Sequence, residues 1–473
     1  MDITFGTEGW RGIIGENFTT ANVQLIGQAV IKYLHNTHKG LLPPVVIGYD
    51  TRLNSRKSAE DLACMISSGG VPVLLSCKPV ITPVLSFAAL QHHAGIGLMV
   101  TASHNPPQYN GIKFKTASGG PVDGNMISKI RGCLLESSKT TVKGTFPAAI
   151  RELDFDEPYF AAVHKRFREK PTNLCPSFED MTVVFDAMHG AGAGYLDRLL
   201  EGTGAKVVRV REKSKPGFGG TTPEPVDDNL QVLKAAVKQH KADLGLAVDG
   251  DGDRLGVVDE KGQFVDPHRV FMFLLTHLYR NRKEEGSIVK TFSVSPLVGK
   301  AAAGFGLKVR ETPIGFKHIV PWFRRERVLL GGEESGGFGF ARHLPDRDSV
   351  LAGLLLVEYV QQSNNTLSEL HTESEGLYGK SVYRRSDLPL SGPGYSNRVL
   401  TAAAAPPCLG RHKVLQAADL DGLKLSLEIG WILFRFSGTE PLLRVYAEGE
   451  TALIVDELMK EGLEWVASSS YIA

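Results

Sequence analysis

The sequence lacks the features that mark membrane, secreted and nucleic-acid-binding proteins. Its 473 residues carry 53 Lys and Arg against 52 Asp and Glu, so the net charge of +1 supplies no long-range attraction to nucleic acid or to an anionic membrane. No apolar run approaches the ~18 residues that a membrane-spanning helix needs. The first residues, 1–6, show no basic segment followed by an apolar one. We therefore expect a cytoplasmic protein that binds neither nucleic acid nor membrane.

Cysteine is also scarce. The five cysteines are odd in number, and no two of them form a C-x-x-C pair, which argues against a disulfide framework or a zinc knuckle and favours a reducing compartment. Glycine, in contrast, is abundant at 51 residues, and much of the excess falls in short loops. A chain of this length is expected to form about three domains, with two to four allowed, and its size suggests an enzyme.

The pattern of apolar residues predicts the fold class. Short apolar strands such as Val45–Ile47, Thr182–Phe185 and Ser287–Lys290 alternate with longer amphipathic helices, which is typical of α/β layers with mainly parallel sheets. Three successive segments of this kind look like divergent copies of one unit. The tail instead predicts neighbouring strands and a closing helix over 452–467, hence a smaller α+β domain, with the Ser-, Asn- and Gly-rich stretch 363–380 as the link into it.

The segment Thr101–Pro106 (T-A-S-H-N-P) directly follows a predicted strand. Ser103 is a candidate nucleophile because His104 and the downstream Lys113 could supply the base or the positive field that a serine needs. The alternative is a capped turn in which Ser103 and Asn105 only hydrogen-bond the backbone.

A second loop, D-G-D-G-D-R, places Asp249, Asp251 and Asp253 at alternate positions after a strand. Such carboxylates repel one another unless a cation neutralises them, and oxygen ligands favour Mg²⁺ or Ca²⁺. An EF-hand is excluded because Arg254 stands where its sixth position needs glycine, and because residues 255–258 are predicted to form a strand. A solvated turn is the remaining alternative. Since phosphate oxygens usually complete a magnesium site, the loop suggests phosphoryl chemistry.

Further glycine-rich loops carry polar groups suited to a phosphorylated sugar. Glu333 and Ser335 would point to one side if their segment is extended, and a carboxylate with a hydroxyl suits a polyol. The segment 435–441 (R-F-S-G-T-E-P), with Arg444 behind it, is a candidate anion cradle, although a solvated hairpin loop would have the same composition. Lys317, in the first turn of a predicted helix, and Arg11 could add to anion binding.

Four of these motifs together resemble those of the α-D-phosphohexomutase family, and they occur in the family's order over nearly the whole chain. The motifs are T-A-S-H-N-P, D-G-D-G-D-R, G-E-E-S-G and R-F-S-G-T. The resemblance implies a heart-shaped arrangement of three related α/β modules with mixed, mainly parallel sheets, and a smaller C-terminal α+β domain. The expected domains are 1–148 with the phosphoserine loop, 149–254 with the metal loop, 255–372 with the sugar-binding loop, and 373–473 with the phosphate-binding loop.

The resemblance also implies a role for each matching residue. Ser103 matches the serine that carries the phosphoryl group. The Mg²⁺ ligands are matched by Asp249, Asp251 and Asp253 together with Ser103. Arg11, His104 and Lys113 match residues around the reacting phosphate, with general acid/base and charge-stabilising roles. The positions that match substrate-binding residues are Arg254, Lys290, Gly315, Lys317, Glu333, Ser335, Arg435, Ser437, Gly438, Thr439 and Arg444.

The implied reaction interconverts hexose 1-phosphate and hexose 6-phosphate through an enzyme phosphoserine and a hexose 1,6-bisphosphate, which acts as intermediate and activator. Small-molecule sugar phosphates are the implied partners. Two departures bear on the sugar: the sugar loop ends Gly336-Gly337 where many relatives have Gly-His, and Glu8 stands where serine or aspartate is frequent. We expect glucose 1-phosphate to be favoured and mannose tolerated. The alternatives are a hexose 1,6-bisphosphate synthase, a phosphoglucosamine mutase and a non-catalytic sugar-phosphate sensor.

Overall fold

The structure is a computed structural model, and it describes residues 3–6, 8–137, 147–169, 177–390, 400–437 and 442–468. These described residues form three mixed α/β sheets and one antiparallel sheet. The predicted fold class, three α/β modules followed by a smaller C-terminal domain, is therefore confirmed. No helix among the described residues has the length and apolar character needed to cross a membrane.

The first module alternates strands and helices. Its elements in chain order are β1 (Gly9–Ile13), α1 (Thr20–Thr37), β2 (Val45–Tyr49), α2 (Ser55–Ser68), β3 (Val73–Ser76), α3 (Thr82–Gln91), β4 (Ile96–Val100), β5 (Tyr109–Lys115), α4 (Gly124–Ser137) and β6 (Ile150–Leu153). The sheet order is β1-β5-β4-β2-β3-β6, with β6, β3, β2 and β4 parallel and β5 antiparallel to β4. Strands β2 and β4 are buried at every position, as expected of apolar runs covered on both faces.

The second module repeats this plan. Its elements are α5 (Asp156–Arg168), β7 (Thr182–Asp186), α6 (Leu196–Glu201), β8 (Lys206–Val210), α7 (Gln231–His240), β9 (Leu244–Val248), β10 (Leu255–Asp259) and β11 (Phe264–Val265). The order is β11-β10-β9-β7-β8, in which β8, β7 and β9 are parallel and β10 returns antiparallel to β9.

The third module has the same core order, β13-β12-β14-β15, with β15 antiparallel to β14. Its elements are α8 (Pro267–Thr276), β12 (Ser287–Thr291), α9 (Pro296–Gly304), β13 (Val309–Thr312), α10 (Phe316–Arg325), β14 (Val328–Gly332), β15 (Phe338–Phe340), α11 (Ser349–Ser363) and α12 (Leu367–Tyr378). In each module, then, three adjacent parallel strands (β3-β2-β4, β8-β7-β9 and β13-β12-β14) are followed by one antiparallel strand, and the first sheet has β6 as a fourth parallel strand at its edge.

The C-terminal domain is an antiparallel sheet covered by one helix. Its elements are β16 (Val382–Pro389), β17 (Cys408–Leu409), β18 (His412–Ala418), β19 (Leu423–Leu427), β20 (Gly430–Phe436), β21 (Leu442–Gly449) and α13 (Ala452–Ser468). The order is β16-β21-β20-β19-β18-β17, and the domain has its own apolar core.

The structure differs from the sequence prediction at the module edges. Strand β6 pairs with β3, so the first sheet continues past residue 148, and β10 pairs with β9, so the second sheet continues past residue 254. The predicted link 363–380 is wrong, because most of it is helix α12. A capping box explains that helix: the Thr366 hydroxyl accepts from the Glu369 backbone, and the Glu369 side chain accepts from the Thr366 backbone.

A buried lysine joins the third module to the C-terminal domain. The Lys424 ammonium donates to the Phe292 carbonyl at 2.8 Å and lies 4.0 Å from the centre of the Trp431 ring. Burial, and then the nearby charge of Lys290, lower the pKa of Lys424 from 10.5 to about 7. The carboxylates of Glu311 and Glu448 act in the opposite direction but do not cancel this shift.

This lysine predicts a pH-dependent stability. Between pH 7 and 10.5 the unfolded chain holds a proton on residue 424 that the folded chain lacks, so the free energy of unfolding rises with pH in that window, by at most about 1.4 kcal/mol per pH unit. We expect Lys424→Met to remove this slope in urea titrations between pH 7 and 9.5. Lys413→Met, at an exposed position on β18, is the control and should keep it. Parallel pH profiles for wild type and Lys424→Met would contradict the assignment.

Candidate active site

Loops from the three modules line one cleft because of the repeated sheet order. In every module a loop leaves the third parallel strand and returns along the antiparallel one: residues 101–108 between β4 and β5, 249–254 between β9 and β10, and 333–337 between β14 and β15. Residues of all three loops line this cleft, together with residues of β1, β16, β20 and β21. The carboxyl ends of parallel strands are where α/β sheets bind ligands.

Ser103 is held next to the aspartate loop. Ser103 is buried, and its backbone has a left-handed conformation with φ 54°. Its hydroxyl donates to Asp249 Oδ2 at 2.9 Å. His104 Nδ1 lies 3.4 Å from the same hydroxyl. Burial, and then the nearby cations Arg254 and Arg11, lower the pKa of His104 well below its ordinary value, so the ring is neutral at neutral pH. The structure therefore brings a hydroxyl, a carboxylate and a neutral imidazole together.

The three aspartates form a buried cluster compensated by a lysine. One carboxylate oxygen from each aspartate lies within 4.8 Å of the other two, and Lys113 donates to Asp251 at 2.6 Å and to Asp253 at 2.8 Å. Burial and the neighbouring carboxylates raise the pKa of Asp249 well above its ordinary value. Burial acts the same way on Asp251, but Lys113 outweighs it and lowers the pKa of that carboxyl.

The cluster fits a hard divalent cation. Asp251 Oδ1 and Asp253 Oδ1 are buried and have no hydrogen-bond partner, although an unpaired buried carboxylate oxygen is costly. All the candidate ligands are oxygens, which Mg²⁺ prefers. Because the three side chains are fully buried, the alternative of a solvated charged turn is excluded.

A buried arginine that sequence reasoning missed links three segments at the cleft: the residues before β1, the aspartate loop and the loop after β14. Arg347 contacts Glu8 at 2.7 Å, Asp253 at 2.8 Å and Glu333 at 3.2 Å. Burial acts to raise the pKa of Glu8, but nearby cations, Arg347 first, lower it to about 2, so this carboxylate stays charged. The only sequence signal was the charged run 346–348 directly before the apolar stretch that forms α11.

The segment that carries Glu333 and Ser335 is not extended, because the antiparallel return of β15 on β14 requires a turn. The Gly336 amide donates back to the Glu333 carbonyl at 3.3 Å. Glu333 and Ser335 nevertheless both line the cleft, as does Glu334, which accepts a hydrogen bond from the Ser293 hydroxyl at 2.6 Å. Burial outweighs the attraction of the neighbouring arginine and raises the pKa of Glu333 to about 7, so this group exchanges a proton near neutral pH.

The C-terminal domain supplies a group of cations to the cleft. Of the predicted phosphate-loop residues, Gly438 and Thr439 lie outside the described residues, and those that line the cleft are Arg435, Ser437 and Arg444. Sequence reasoning missed Arg385 of β16, which also lines the cleft and forms two 2.9 Å hydrogen bonds with Asp387. A cluster of arginines suits an anionic group such as a phosphate.

The remaining predicted residues divide into two groups. Arg11, Arg254 and Gly315 line the cleft. Lys290 instead donates to the Val294 carbonyl at 3.2 Å, and Lys317 lines a separate cavity between α4 and α10. The two lysines lie outside the cleft in this conformation, and their role as substrate contacts stays a prediction.

Four sequence models of one protein family match the chain in order. Their descriptions are phosphoglucomutase/phosphomannomutase α/β/α domain I at residues 2–141, domain II at 157–262, domain III at 266–378 and the C-terminal domain at 398–464. The matches follow the three modules and the antiparallel domain of the structure.

Individual proteins are similar over nearly the whole chain. A phosphoglucomutase/phosphomannomutase of Thermococcus kodakarensis is 30% identical and covers 98% of both chains, and a phosphoglucosamine mutase of Exiguobacterium is 29% identical, covering 97% of this chain and 96% of that protein. Among solved structures, a candidate phosphomannomutase of Thermus thermophilus is 35% identical with a TM-score of 0.84, covering 99% of this chain and 100% of that one.

The aspartate cluster predicts a metal dependence that can be measured without any substrate. We expect Asp251→Asn to weaken Mg²⁺ binding by at least about tenfold, because one of three carboxylate ligands is lost. Isothermal titration calorimetry on the whole protein measures the change. Asp227→Asn, an exposed position of the same module, should bind Mg²⁺ as the wild type does. An unchanged affinity in Asp251→Asn would exclude the metal assignment.

Proposed function

Since this chain belongs to the phosphoglucomutase/phosphomannomutase family, the α-D-phosphohexomutases, we propose that it interconverts hexose 1-phosphates and hexose 6-phosphates, with Ser103 carrying the phosphoryl group. The observation that carries this proposal is the 2.9 Å hydrogen bond between the Ser103 hydroxyl and Asp249, within a cleft that is also lined by arginines of the C-terminal domain. A non-catalytic sensor would need neither the serine nor the buried carboxylates.

The first transfer exchanges one P–O bond for another. The phosphoryl group leaves the Ser103 oxygen and bonds to the free hydroxyl oxygen of a hexose 1-phosphate, giving a hexose 1,6-bisphosphate. The neutral ring of His104 accepts the hydroxyl proton, and because its Nδ1 lies 3.4 Å from the Ser103 oxygen, it returns a proton to that oxygen as the P–O bond to serine breaks. The cations Arg11 and Lys113 stabilise the charge that spreads over the phosphoryl oxygens. Asp249, Asp251 and Asp253 would hold a Mg²⁺ ion, which when bound would supply further positive charge beside the phosphoryl group.

The second transfer requires the bisphosphate to turn around in the cleft. Its other phosphate then returns to Ser103, and the 6-phosphate leaves. In both orientations the phosphate that does not react is held by three arginines of the C-terminal domain that line the cleft, Arg385, Arg435 and Arg444, because guanidinium groups bind phosphate oxygens well. The almost complete burial of Ser103 limits the access of water to the phosphoserine.

Glu333 and Ser335 are the proposed contacts to the sugar hydroxyls. We propose glucose 1-phosphate as the preferred substrate. Mannose 1-phosphate should be tolerated, because it shares with glucose the 3- and 4-hydroxyls that this pair is expected to bind. Phosphoglucosamine is the second candidate, because similar proteins include phosphoglucosamine mutases. Release of the bisphosphate instead of its return to Ser103 would make the protein a hexose 1,6-bisphosphate synthase.

Ser103→Ala tests the phosphoryl carrier. We expect mutase activity below about 0.1% of wild type, because alanine lacks the hydroxyl that lies 2.9 Å from Asp249 and is proposed to carry the phosphate. Coupled rate assays with a trace of glucose 1,6-bisphosphate measure the loss, and mass spectrometry should find phosphate on residue 103 of the purified wild type. Ser128→Ala, at an exposed position of α4, is the matched control. Near-normal activity in Ser103→Ala would refute the mechanism.

A comparison of glucose, mannose and glucosamine 1-phosphates tests the substrate. We expect kcat/KM to fall in that order, while free hexose 1,6-bisphosphate stays far below the amount of product turned over. The highest kcat/KM for glucosamine 1-phosphate would establish the second candidate in place of the first. Stoichiometric release of bisphosphate would identify a synthase.

A further inference from the structure

Behind the Ser103 loop lies an arginine that takes no part in the mechanism above. Arg52 follows β2 in the loop before α2, and its side chain is completely buried. It is not among the residues that line the cleft, so it cannot be assigned to phosphate or sugar binding. Buried donors need hydrogen-bond partners, and the partners that the two terminal nitrogens of Arg52 use indicate its role.

Arg52 donates to backbone carbonyls of the serine loop. One terminal nitrogen donates to the carbonyls of Ser103 at 2.5 Å and Asn105 at 2.6 Å, and the other to those of Pro106 at 3.0 Å and Tyr109 at 3.1 Å. These four acceptors span the loop from the nucleophile to the start of β5. The planar fork of the guanidinium can serve four acceptors at once, which a lysine ammonium cannot reproduce.

A second chain of hydrogen bonds fixes the other side of Ser103. The Ser103 amide donates to the Thr101 hydroxyl at 2.8 Å, and that hydroxyl donates to Asp50 Oδ2 at 2.6 Å. Asp50 also accepts from the Arg52 amide at 2.9 Å and from the Ser55 hydroxyl at 2.6 Å. The segment after β2 thus holds Ser103 through both its amide and its carbonyl.

Such support is needed because Ser103 has an unfavourable backbone. Its φ of 54° lies in the left-handed region, where a residue with a Cβ is strained and persists only if its surroundings hold it there. Without the carbonyl and amide contacts, the loop would relax toward ordinary dihedral angles, and the hydroxyl would turn away from Asp249.

The same arginine also reaches the second module. Its guanidinium lies 4.7 Å from the centre of the Phe218 ring. Phe218 packs near Gly250 of the metal loop, and a Cβ added at Gly250 would come within 2.6 Å of the Ser103 carbonyl oxygen. Arg52 is therefore in contact with the serine loop and with the residue that packs beside the metal loop.

We propose that Arg52, held by Asp50, is a positioning residue that keeps the Ser103 hydroxyl in line with the aspartate cluster. The predicted effect on kcat rests on the proposed function. It requires Arg52 to affect the rate of phosphoryl transfer and not the binding of the sugar phosphate, because Arg52 has no surface in the cleft.

The test compares Arg52→Lys, Arg52→Met and Thr101→Val with a matched control, Arg56→Met, on the exposed face of α2. We expect kcat to fall about tenfold in Arg52→Lys and about 100-fold in Arg52→Met, since a displacement of about 1 Å at the reacting atom costs this much. KM should stay within about threefold of wild type. Thr101→Val breaks the amide side of the support and should also lower kcat, so the test stands even if Arg52→Met does not fold.

Hydrogen exchange supplies a readout that is independent of activity. The amides of residues 103–105, 108 and 109 should exchange faster in Arg52→Lys than in wild type. Exchange in the rest of that variant, and throughout Arg56→Met, should match the wild type. A wild-type kcat in Arg52→Lys, or a loss of rate fully explained by a smaller fraction of folded protein, would overturn the proposal. If the wild type itself fails to interconvert hexose phosphates while the loop still exchanges faster in Arg52→Lys, the proposed function fails and the loop support stands.

Discussion

The cleft depends on keeping five carboxylates at short range from one another, four of them buried and that of Glu8 nearly so. Asp249, Asp251 and Asp253 meet from one loop, and Glu8 and Glu333 approach from two others. Two buried cations, Lys113 and Arg347, contact four of the five. Removing either cation would leave uncompensated buried charge, which is among the most costly defects that a folded protein can carry. The loops are thus held where they are by electrostatics as well as by the sheets beneath them.

Sequence reasoning located the parts of the site whose signal is local. Ser103 and the three aspartates stand out because unusual residue types follow apolar strands at short spacing, and the repeated sheet order places such loops at one edge. The parallel strands were predictable for a related reason: β2, β4 and β9 are short apolar runs between polar turns, and they are buried throughout.

The misses have physical causes. Arg347 and Arg52 have ordinary sequence neighbours, and their importance comes from partners distant in the chain or from backbone carbonyls that composition does not display. Helix α11 is buried over nearly its whole length, so it lacks the amphipathic period that identifies a surface helix. Helix α12 is hard to predict for a different reason: its polar composition resembles that of a linker, and only its capping box indicates a helix.

The ion pair between Glu8 and Arg347 joins residues that lie 339 positions apart in the chain. During synthesis the aspartate loop is complete long before the arginine that neutralises part of it has been made. A nascent chain that ends after the second module therefore lacks the arginine that pairs with Glu8 and Asp253, and a fragment of the first two modules would lack it too. The ion-pair network of the cleft is therefore complete only after the third module has been made, although Ser103 lies in the first quarter of the chain.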